Sequence, residues 1–141
     1  MLKDLREVFS GAAMVSAECS KLALKVRFPV DLVTKWNLLW RAHQLALLDQ
    51  IREEPAQVLW LDPPGAATGS GSRKDHELAR FISEMICLQL DIGLDVVLDA
   101  TSGGHFWKQP ELSPALRHGR LRHRKYSWCG LGVQDPTTRR P

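Results

Sequence analysis

Acidic, small and proline residues follow the predicted strands of this chain. The first strand ends at Ser10-Gly11, the second lies just before Asp31, the third ends at Asp62-Pro63-Pro64 and the fourth at Asp99. Carboxylates accept hydrogen bonds from hydroxyl groups, and small residues let a ligand approach the backbone. In open α/β sheets ligands bind beyond the carboxyl ends of the strands, so we expect a ligand site there.

The stretch Phe9-Ser10-Gly11-Ala12-Ala13 joins the first strand to a helix through small residues. Such a turn lets a cofactor approach the backbone, and N–H groups at the start of the helix can hold a carboxylate or a phosphate. Gly11 is also what an ordinary turn requires, so the glycine alone does not decide between the two interpretations.

Two further positions suggest ligand contacts. An acidic residue after the second strand commonly accepts hydrogen bonds from ribose hydroxyls, and Asp31 has that place, although a solvated aspartate at the start of a loop is the simpler alternative. Asp62-Pro63-Pro64 follows a buried strand, where two prolines fix an extended backbone and leave carbonyls free to face a ligand. A rigid exit from the strand is the alternative there.

Hydrophobic periodicity predicts strands that alternate with helices. Short apolar or alternating runs indicate strands, and helical spacing of apolar residues indicates helices. The predicted strands are 5–9, 24–28, 57–61 and 94–98, and the predicted helices are 12–22, 38–51 and 74–93. This order predicts an α/β fold with right-handed crossovers and a mainly parallel sheet that has helices on both faces.

The last third of the chain is less regular. We expect a loop at 101–109, a short helix at 114–118 and a last strand at 125–129. The segment 117–141 is basic, and Arg120, Arg122, Arg124 and Lys125 lie close to Tyr126 and Trp128. Cations mixed with aromatic residues are typical of a surface that binds DNA or RNA, although a solvated basic loop has the same composition.

Composition limits the class of protein. With 141 residues, 44% of them hydrophobic, the chain fits a single domain over 1–141 that needs no disulfide or metal to fold. Its apolar runs are too short to span a membrane, and acidic residues interrupt any signal peptide, so we expect a cytoplasmic or nuclear protein that is not secreted. His118, His123 and Cys129 match no standard zinc spacing, so we expect no metal site.

Three of these motifs together resemble the cytosine-5 DNA methyltransferases. That family has a phenylalanine-small-glycine turn after the first strand, a proline-proline-cysteine loop after the fourth and a glutamate-asparagine pair after the next. Val8-Phe9-Ser10-Gly11, Leu61-Asp62-Pro63-Pro64-Gly65 and Val97-Leu98-Asp99-Ala100 occur here in the same order. The resemblance covers nearly the whole chain, through short motifs.

The end of the chain is similar to methyltransferase-like domains of some algal and mobile-element proteins. Those domains share a tryptophan-x-x-proline-glutamate-leucine stretch followed by a cysteine-x-x-glycine end. The matching residues here are Trp107-Lys108-Gln109-Pro110-Glu111-Leu112, Cys129-Gly130-Leu131-Gly132 and Thr138-Arg139-Arg140-Pro141. The region that selects a DNA sequence in the family has no counterpart, which suggests a fragment or a truncated copy.

The resemblance implies a Rossmann-like class I methyltransferase fold and S-adenosylmethionine as the cofactor. Together with the position of Asp31 after the second strand, it predicts these cofactor-binding residues: Phe9, Ser10, Gly11, Asp31, Asp62 and Pro63.

Departures from the family argue against cytosine-5 methylation. The family's cysteine thiolate attacks the cytosine ring, and Gly65 stands in its place without a nucleophile. Asp99 is one carbon shorter than the family's glutamate, and Ala13 and Met14 fall where glycine is preferred near the cofactor. The sequence therefore predicts a degenerate methyltransferase-like domain with no catalytic residue for this reaction.

Two alternatives remain from the sequence. One is an active methyltransferase that transfers directly to an amine, because another class of methyltransferase places an aspartate-proline-proline-aromatic motif at this strand end. Asp62, Pro63 and Pro64 fit that motif and Gly65 does not. The other alternative is a non-catalytic domain whose basic segment binds nucleic acid or a protein partner.

Overall fold

The computed structural model describes residues 1–64, 72–100 and 105–124. Three parallel strands form one sheet: β1 (Lys3–Val8), β2 (Ala56–Leu61) and β3 (Asp95–Leu98), in the order β1-β2-β3. The pairing places Val8 beside Leu61 and Leu61 beside Leu98, so the strands end together. The predicted parallel α/β architecture is confirmed at this level.

In the part of the chain that the structure describes, four α-helices accompany the sheet, named α1 (Met14–Lys21), α2 (Arg41–Glu53), α3 (Arg73–Asp91) and α4 (Ser113–Leu116). Short 3-10 helices occupy Leu32–Thr34, His105–Lys108 and Pro110–Leu112. Across the described ranges, no helix has both the length and the apolar character needed to cross a membrane.

The predicted strand at 24–28 is the main difference from the sequence interpretation. Within it only Val26 pairs with β1, in an isolated parallel bridge to Leu5, and a second isolated bridge joins Val30, beyond the predicted strand, to Val8. Pro29 has no N–H to donate, which interrupts regular pairing before Val30. Because β2 occupies the other edge of β1, this segment lies on the opposite side of β1 from β2. After β1 the chain therefore runs along one edge of that strand, and it then crosses to the other edge to form β2.

Several predicted helix ends shift inward. Predicted helix 12–22 begins only at Met14, because Ala13 has the left-handed backbone conformation with φ 53°. The helix predicted from Leu38 begins at Arg41, since the buried side chain of Gln44 donates to the Leu38 carbonyl at 2.8 Å and holds residues 38–40 in a turn. The predicted helix 114–118 spans Ser113–Leu116, and residues 105–108 form a turn of helix within the predicted loop.

Two neighbouring charged residues of β1 show that the helices cover both faces of the sheet. Successive side chains of a strand point to opposite faces. Arg6 donates to the Glu54 carbonyl at 2.9 Å at the end of α2, whereas Glu7 accepts from the Ser16 amide at 2.8 Å in the first turn of α1. Helices α1 and α2 therefore lie on opposite faces, as the strand-helix alternation predicts.

The main core lies between the sheet and the face covered by α2 and α3. Helix α3 contributes its whole apolar stripe, and α2 and the turns after residue 105 pack against it. The buried side chains are Leu47, Leu48, Ile51, Leu59, Leu61, Leu78, Phe81, Ile82, Met85, Ile86, Phe106 and Leu112. Buried Gln89 ties α3 to the sheet edge by donating to the carbonyls of Ala56 and Asp95 at 2.8 and 3.0 Å.

Replacing Ala13 by glycine should stabilise the protein by about 0.5–1 kcal/mol, because glycine adopts positive φ without the steric clash of a Cβ. The matched control is Ala17→Gly inside α1, where the same substitution costs about 1 kcal/mol. Urea denaturation of both variants gives the free energies of unfolding. A loss of stability in Ala13→Gly would contradict the left-handed backbone at this position.

Candidate functional site

A cleft of about 740 Å³ opens at the carboxyl ends of β1 and β2. This is the point where the chain changes direction, since the segment at 24–30 lies on one side of β1 and β2 on the other. Ligands of open α/β sheets bind at such switch points. The volume lies within the range of roughly 300–1,000 Å³ that is usual for small-molecule sites.

Two groups of residues from distant parts of the chain form the walls of the cleft. One group follows β1 and the segment at 24–30, and the other follows β2 and begins α3. The lining residues are Phe9, Gly11, Asp31, Leu32, Trp36, Asn37, Leu38, Leu39, Asp62, Pro63, Pro64, Ser72, Lys74, Asp75 and Leu78. The lining is largely apolar, with carboxylates at a few positions, which is the usual composition of a small-molecule site.

The structure brings five of the six predicted cofactor residues together in this cleft, namely Phe9, Gly11, Asp31, Asp62 and Pro63. Ser10 is the exception. It does not line the cleft, and its hydroxyl is buried without a hydrogen bond. Three separate chain segments therefore converge as the sequence interpretation required.

The turn between β1 and α1 has an unusual backbone. Phe9, Gly11 and Ala13 have φ of 61°, 49° and 53°, a region that favours glycine. A Cβ built at Gly11 would meet no atom within 4 Å, so the space beside this glycine is open to a ligand. Strained backbone of this kind clusters at ligand-binding turns.

The first turn of α1 is already occupied by an anion of the protein itself. Glu7, only 3% exposed, accepts hydrogen bonds at Oε2 from the Ser16 amide at 2.8 Å and the Ser16 hydroxyl at 2.6 Å. Ser16 is the third residue of α1, whose amide would otherwise point at a bound ligand. The sequence predicts that amides at this helix start hold a carboxylate or phosphate of a ligand. For the Ser16 amide this prediction is wrong, because the amide already donates to Glu7.

Asp31 is held in place at the cleft by hydrogen bonds from backbone amides. Its carboxylate accepts from the amides of Gly11 at 3.2 Å and Val33 at 3.1 Å, and with Thr34 it forms a capping box that starts the 3-10 helix Leu32–Thr34. Each carboxylate oxygen can accept more than one hydrogen bond. Asp31 is thus fixed in place at the cleft and still able to accept from a ribose hydroxyl.

Asp62 is the exposed carboxylate of the cleft. Its amide donates to the Val8 carbonyl at 3.3 Å, and the Asp99 amide donates to the Leu61 carbonyl at 2.9 Å, so both aspartates stand at neighbouring strand ends. Desolvation raises the pKa of Asp62, and the nearby negative charges of Asp99 and Glu7 raise it further. A cationic ligand at this position would relieve that repulsion.

Sequence reasoning missed the apolar wall formed by Trp36, Leu38, Leu39 and Leu78. Trp36 packs edge-on against His43 with ring centroids 5.8 Å apart, and the Asn37 amide donates to His43 Nδ1 at 2.8 Å. Helical periodicity assigned the three leucines to predicted helices, and no sequence signal marked Trp36.

The basic segment behaves differently from the expectation at one residue. Arg120 donates to the carbonyls of Leu90 at 2.8 Å and Gly93 at 3.4 Å, and lies 3.7 Å from Asp95. Its guanidinium therefore caps the C-terminal end of α3. Arg122 and Arg124 are exposed, and Lys125 lies outside the described residues.

Other predicted positions can be placed only in part. His118 contacts Asp91 at 3.1 Å, while Cys129 lies outside the described residues. No group of three or more histidines, cysteines and acidic residues in the described part of the chain could hold a metal ion. Gly65 and the strand predicted at 125–129 also lie outside the described residues.

Asp62→Asn should raise stability at neutral pH, because it removes a carboxylate whose charge is disfavoured in the folded protein. The gain should be less than about 1 kcal/mol, since Asp62 is exposed and solvent screens the repulsion. The raised pKa means that the folded protein binds this proton more tightly than the unfolded chain does. Wild-type stability therefore falls as pH rises through the ordinary value of 3.8 towards the raised value, whereas asparagine loses nothing.

Thermal unfolding of both proteins between pH 3 and pH 7 measures this difference, which should vanish at the acid end. The control is Asp49→Asn, which removes an exposed carboxylate 2.8 Å from Arg52 and should not stabilise. A lower melting temperature for Asp62→Asn at pH 7 would show that Asp62 supports the fold instead.

No protein-family model, curated protein or solved structure matches this chain. The position, lining and charge of the cleft are therefore the basis for assigning a function.

Proposed function

We propose that this domain binds S-adenosylmethionine in the cleft between the ends of β1 and β2, as a methyltransferase-like domain. The observation that supports this most is the convergence of Phe9, Gly11, Asp31, Asp62 and Pro63 on one cleft at the switch point of a parallel sheet. These residues come from three separate segments, and each follows a strand or strand-like segment at the end where α/β domains bind their ligands.

The lining of the cleft fits the parts of this cofactor. S-adenosylmethionine has a flat adenine, a ribose, a sulfonium cation and a charged amino-acid end. Trp36 and Leu78 offer apolar surface for the base, and Asp31 offers a fixed acceptor for ribose hydroxyls. Asp62 offers negative charge for a cationic group, because desolvation and the nearby charges of Asp99 and Glu7 raise its pKa and a bound cation would offset both effects.

The proposal does not include cytosine-5 methylation. That reaction needs a thiolate that adds to the cytosine ring, and Gly65 has no side chain to supply one. Asp99 stands near Asp62 at the strand ends, and it is one carbon shorter than the glutamate that assists the family's reaction. The domain would keep the cofactor site and lack this chemistry.

A second candidate function is methyl transfer to an amine, which needs no covalent intermediate. The observation in its favour is the exposed carboxylate of Asp62 beside Pro63 and Pro64 in the cleft. A carboxylate there could accept a hydrogen bond from an amino group and orient its nitrogen towards the methyl group of the cofactor.

Nucleic-acid binding through the basic segment has narrower support. Arg122 and Arg124 are exposed and able to meet phosphates, but Arg120 is engaged with the carbonyls that end α3. DNA or RNA as a partner therefore rests on Arg122 and Arg124 among the described residues.

Calorimetric titration with S-adenosylmethionine should show micromolar binding to the wild-type protein. Asp62→Asn should weaken it about tenfold by removing the charge that faces the cation. Asp31→Asn should weaken binding by a similar factor. The asparagine side chain has only one acceptor oxygen, which would have to serve the Gly11 amide, the Val33 amide and the ribose. The matched control Asp49→Asn, on the exposed side of α2, should bind like the wild type.

The titration separates two outcomes. No measurable binding of S-adenosylmethionine or S-adenosylhomocysteine by the folded wild-type protein would reject the proposal. Equal affinity of all four proteins would reject the cleft as the binding site.

Methyl-transfer assays with radiolabelled cofactor distinguish the two candidate reactions. We expect no label at C5 of cytosine, because no thiol occupies position 65. Label on an exocyclic or protein amine that is lost in Asp62→Ala and kept in Asp49→Ala would establish amine transfer. C5 labelling of DNA by the purified protein would refute the predicted loss of cytosine-5 activity.

A further inference from the structure

Two backbone amides, one in the turn between β1 and α1 and one in the first turn of α1, already donate to carboxylates of the protein. The Gly11 amide donates to Asp31 at 3.2 Å, and the Ser16 amide donates to Glu7 at 2.8 Å. In dinucleotide-binding α/β domains, the amides of this turn and the positive end of the first helix bind the pyrophosphate of the ligand. Here protein anions occupy both amides.

Burial and hydrogen bonds hold the carboxylate of Glu7 in this position. The side chain is 3% exposed and is held at Oε2 by both the amide and the hydroxyl of Ser16. Its negative charge also reaches the cleft, since it contributes to the raised pKa of Asp62 in the lining. A phosphate brought to this turn would meet a like charge and would find the Ser16 amide engaged.

We infer that Glu7 is a specificity residue that makes the cleft accept nucleosides without phosphate groups and reject nucleotides and dinucleotides. Asp31 acts in the same direction by occupying the Gly11 amide. The inference deepens the proposed function, and rests on it only for the nucleoside part of the ligand. The rejection of phosphate is a property of the turn itself and can be measured without a nucleoside.

The test uses inorganic pyrophosphate as the probe, titrated calorimetrically into the full-length protein. Wild-type protein should show no binding at millimolar concentration. Glu7→Gln keeps an oxygen that can accept from Ser16 and removes the charge, so pyrophosphate affinity should rise at least about tenfold. Ser16→Ala is the matched control, because it removes the hydroxyl contact and leaves the Glu7 charge, and it should gain no affinity.

Each outcome bears on the inference. Pyrophosphate binding by the wild-type protein, no gain in Glu7→Gln, or an equal gain in Ser16→Ala would overturn it. A gain restricted to Glu7→Gln would support it even if S-adenosylmethionine does not bind, in which case only the proposed function fails.

If circular dichroism shows that the Glu7→Gln variant does not fold, a second measurement uses the wild-type protein alone. The wild-type protein is then titrated with adenosine, AMP and ADP, and with pyrophosphate at 50 and 300 mM salt. Pyrophosphate that stays unbound at both salt concentrations, with no higher affinity for AMP or ADP than for adenosine, supports rejection of phosphate. Affinity that rises with each phosphate, or pyrophosphate binding at the lower salt concentration, overturns it.

Discussion

Two adjacent charged side chains of β1 connect the sheet to the helices on both of its faces. Arg6 points to one face and donates to the Glu54 carbonyl that ends α2, while Glu7 points to the other face and accepts from Ser16 at the start of α1. A cation at a helix C-terminus and an anion at an N-terminus both match the helix dipole. Both residues are about 3% exposed, so neither charge could be buried without these partners.

The cleft depends on this central position of β1. Because β1 has neighbours on both edges and helices on both faces, the chain must leave and return past its carboxyl end. Phe9 and Gly11 therefore emerge between Asp31 on one side and Asp62 on the other. The site is a consequence of the topology, and the side chains at the strand ends determine its chemistry.

Much of the fold could be predicted from the sequence where periodicity is strong. Helix α3 and strand β2 lie close to their predicted bounds, because a long apolar stripe and a continuous apolar run leave few alternatives. The weaker predictions failed where a backbone or a tertiary contact decides. Ala13 has a left-handed conformation that no propensity indicates, and the predicted strand at 24–28 forms a single isolated bridge, at Val26, before Pro29 interrupts the pairing.

The candidate site was predictable to the same extent. Residues at strand ends could be named because strand ends of a parallel sheet meet at one edge, and five of six line the cleft. Trp36 could not be named, because its approach to the cleft depends on the turn that Asp31 and Thr34 cap and on the contact with His43. For Arg120 the sequence indicated a basic surface, and it could not predict that the guanidinium also donates to the Leu90 carbonyl at the end of α3.

The acidic residues around the cleft differ in what stabilises their charge. Glu7 accepts hydrogen bonds from two donors of Ser16, and Asp31 accepts from two backbone amides. For Asp62, no described residue donates a hydrogen bond to the carboxylate, and desolvation and its acidic neighbours raise its pKa. A carboxylate that costs stability and faces a cleft is characteristic of a functional site. A bound cation would lower the pKa of Asp62 and stabilise the folded protein at the same time, which couples ligand binding to stability through this one side chain.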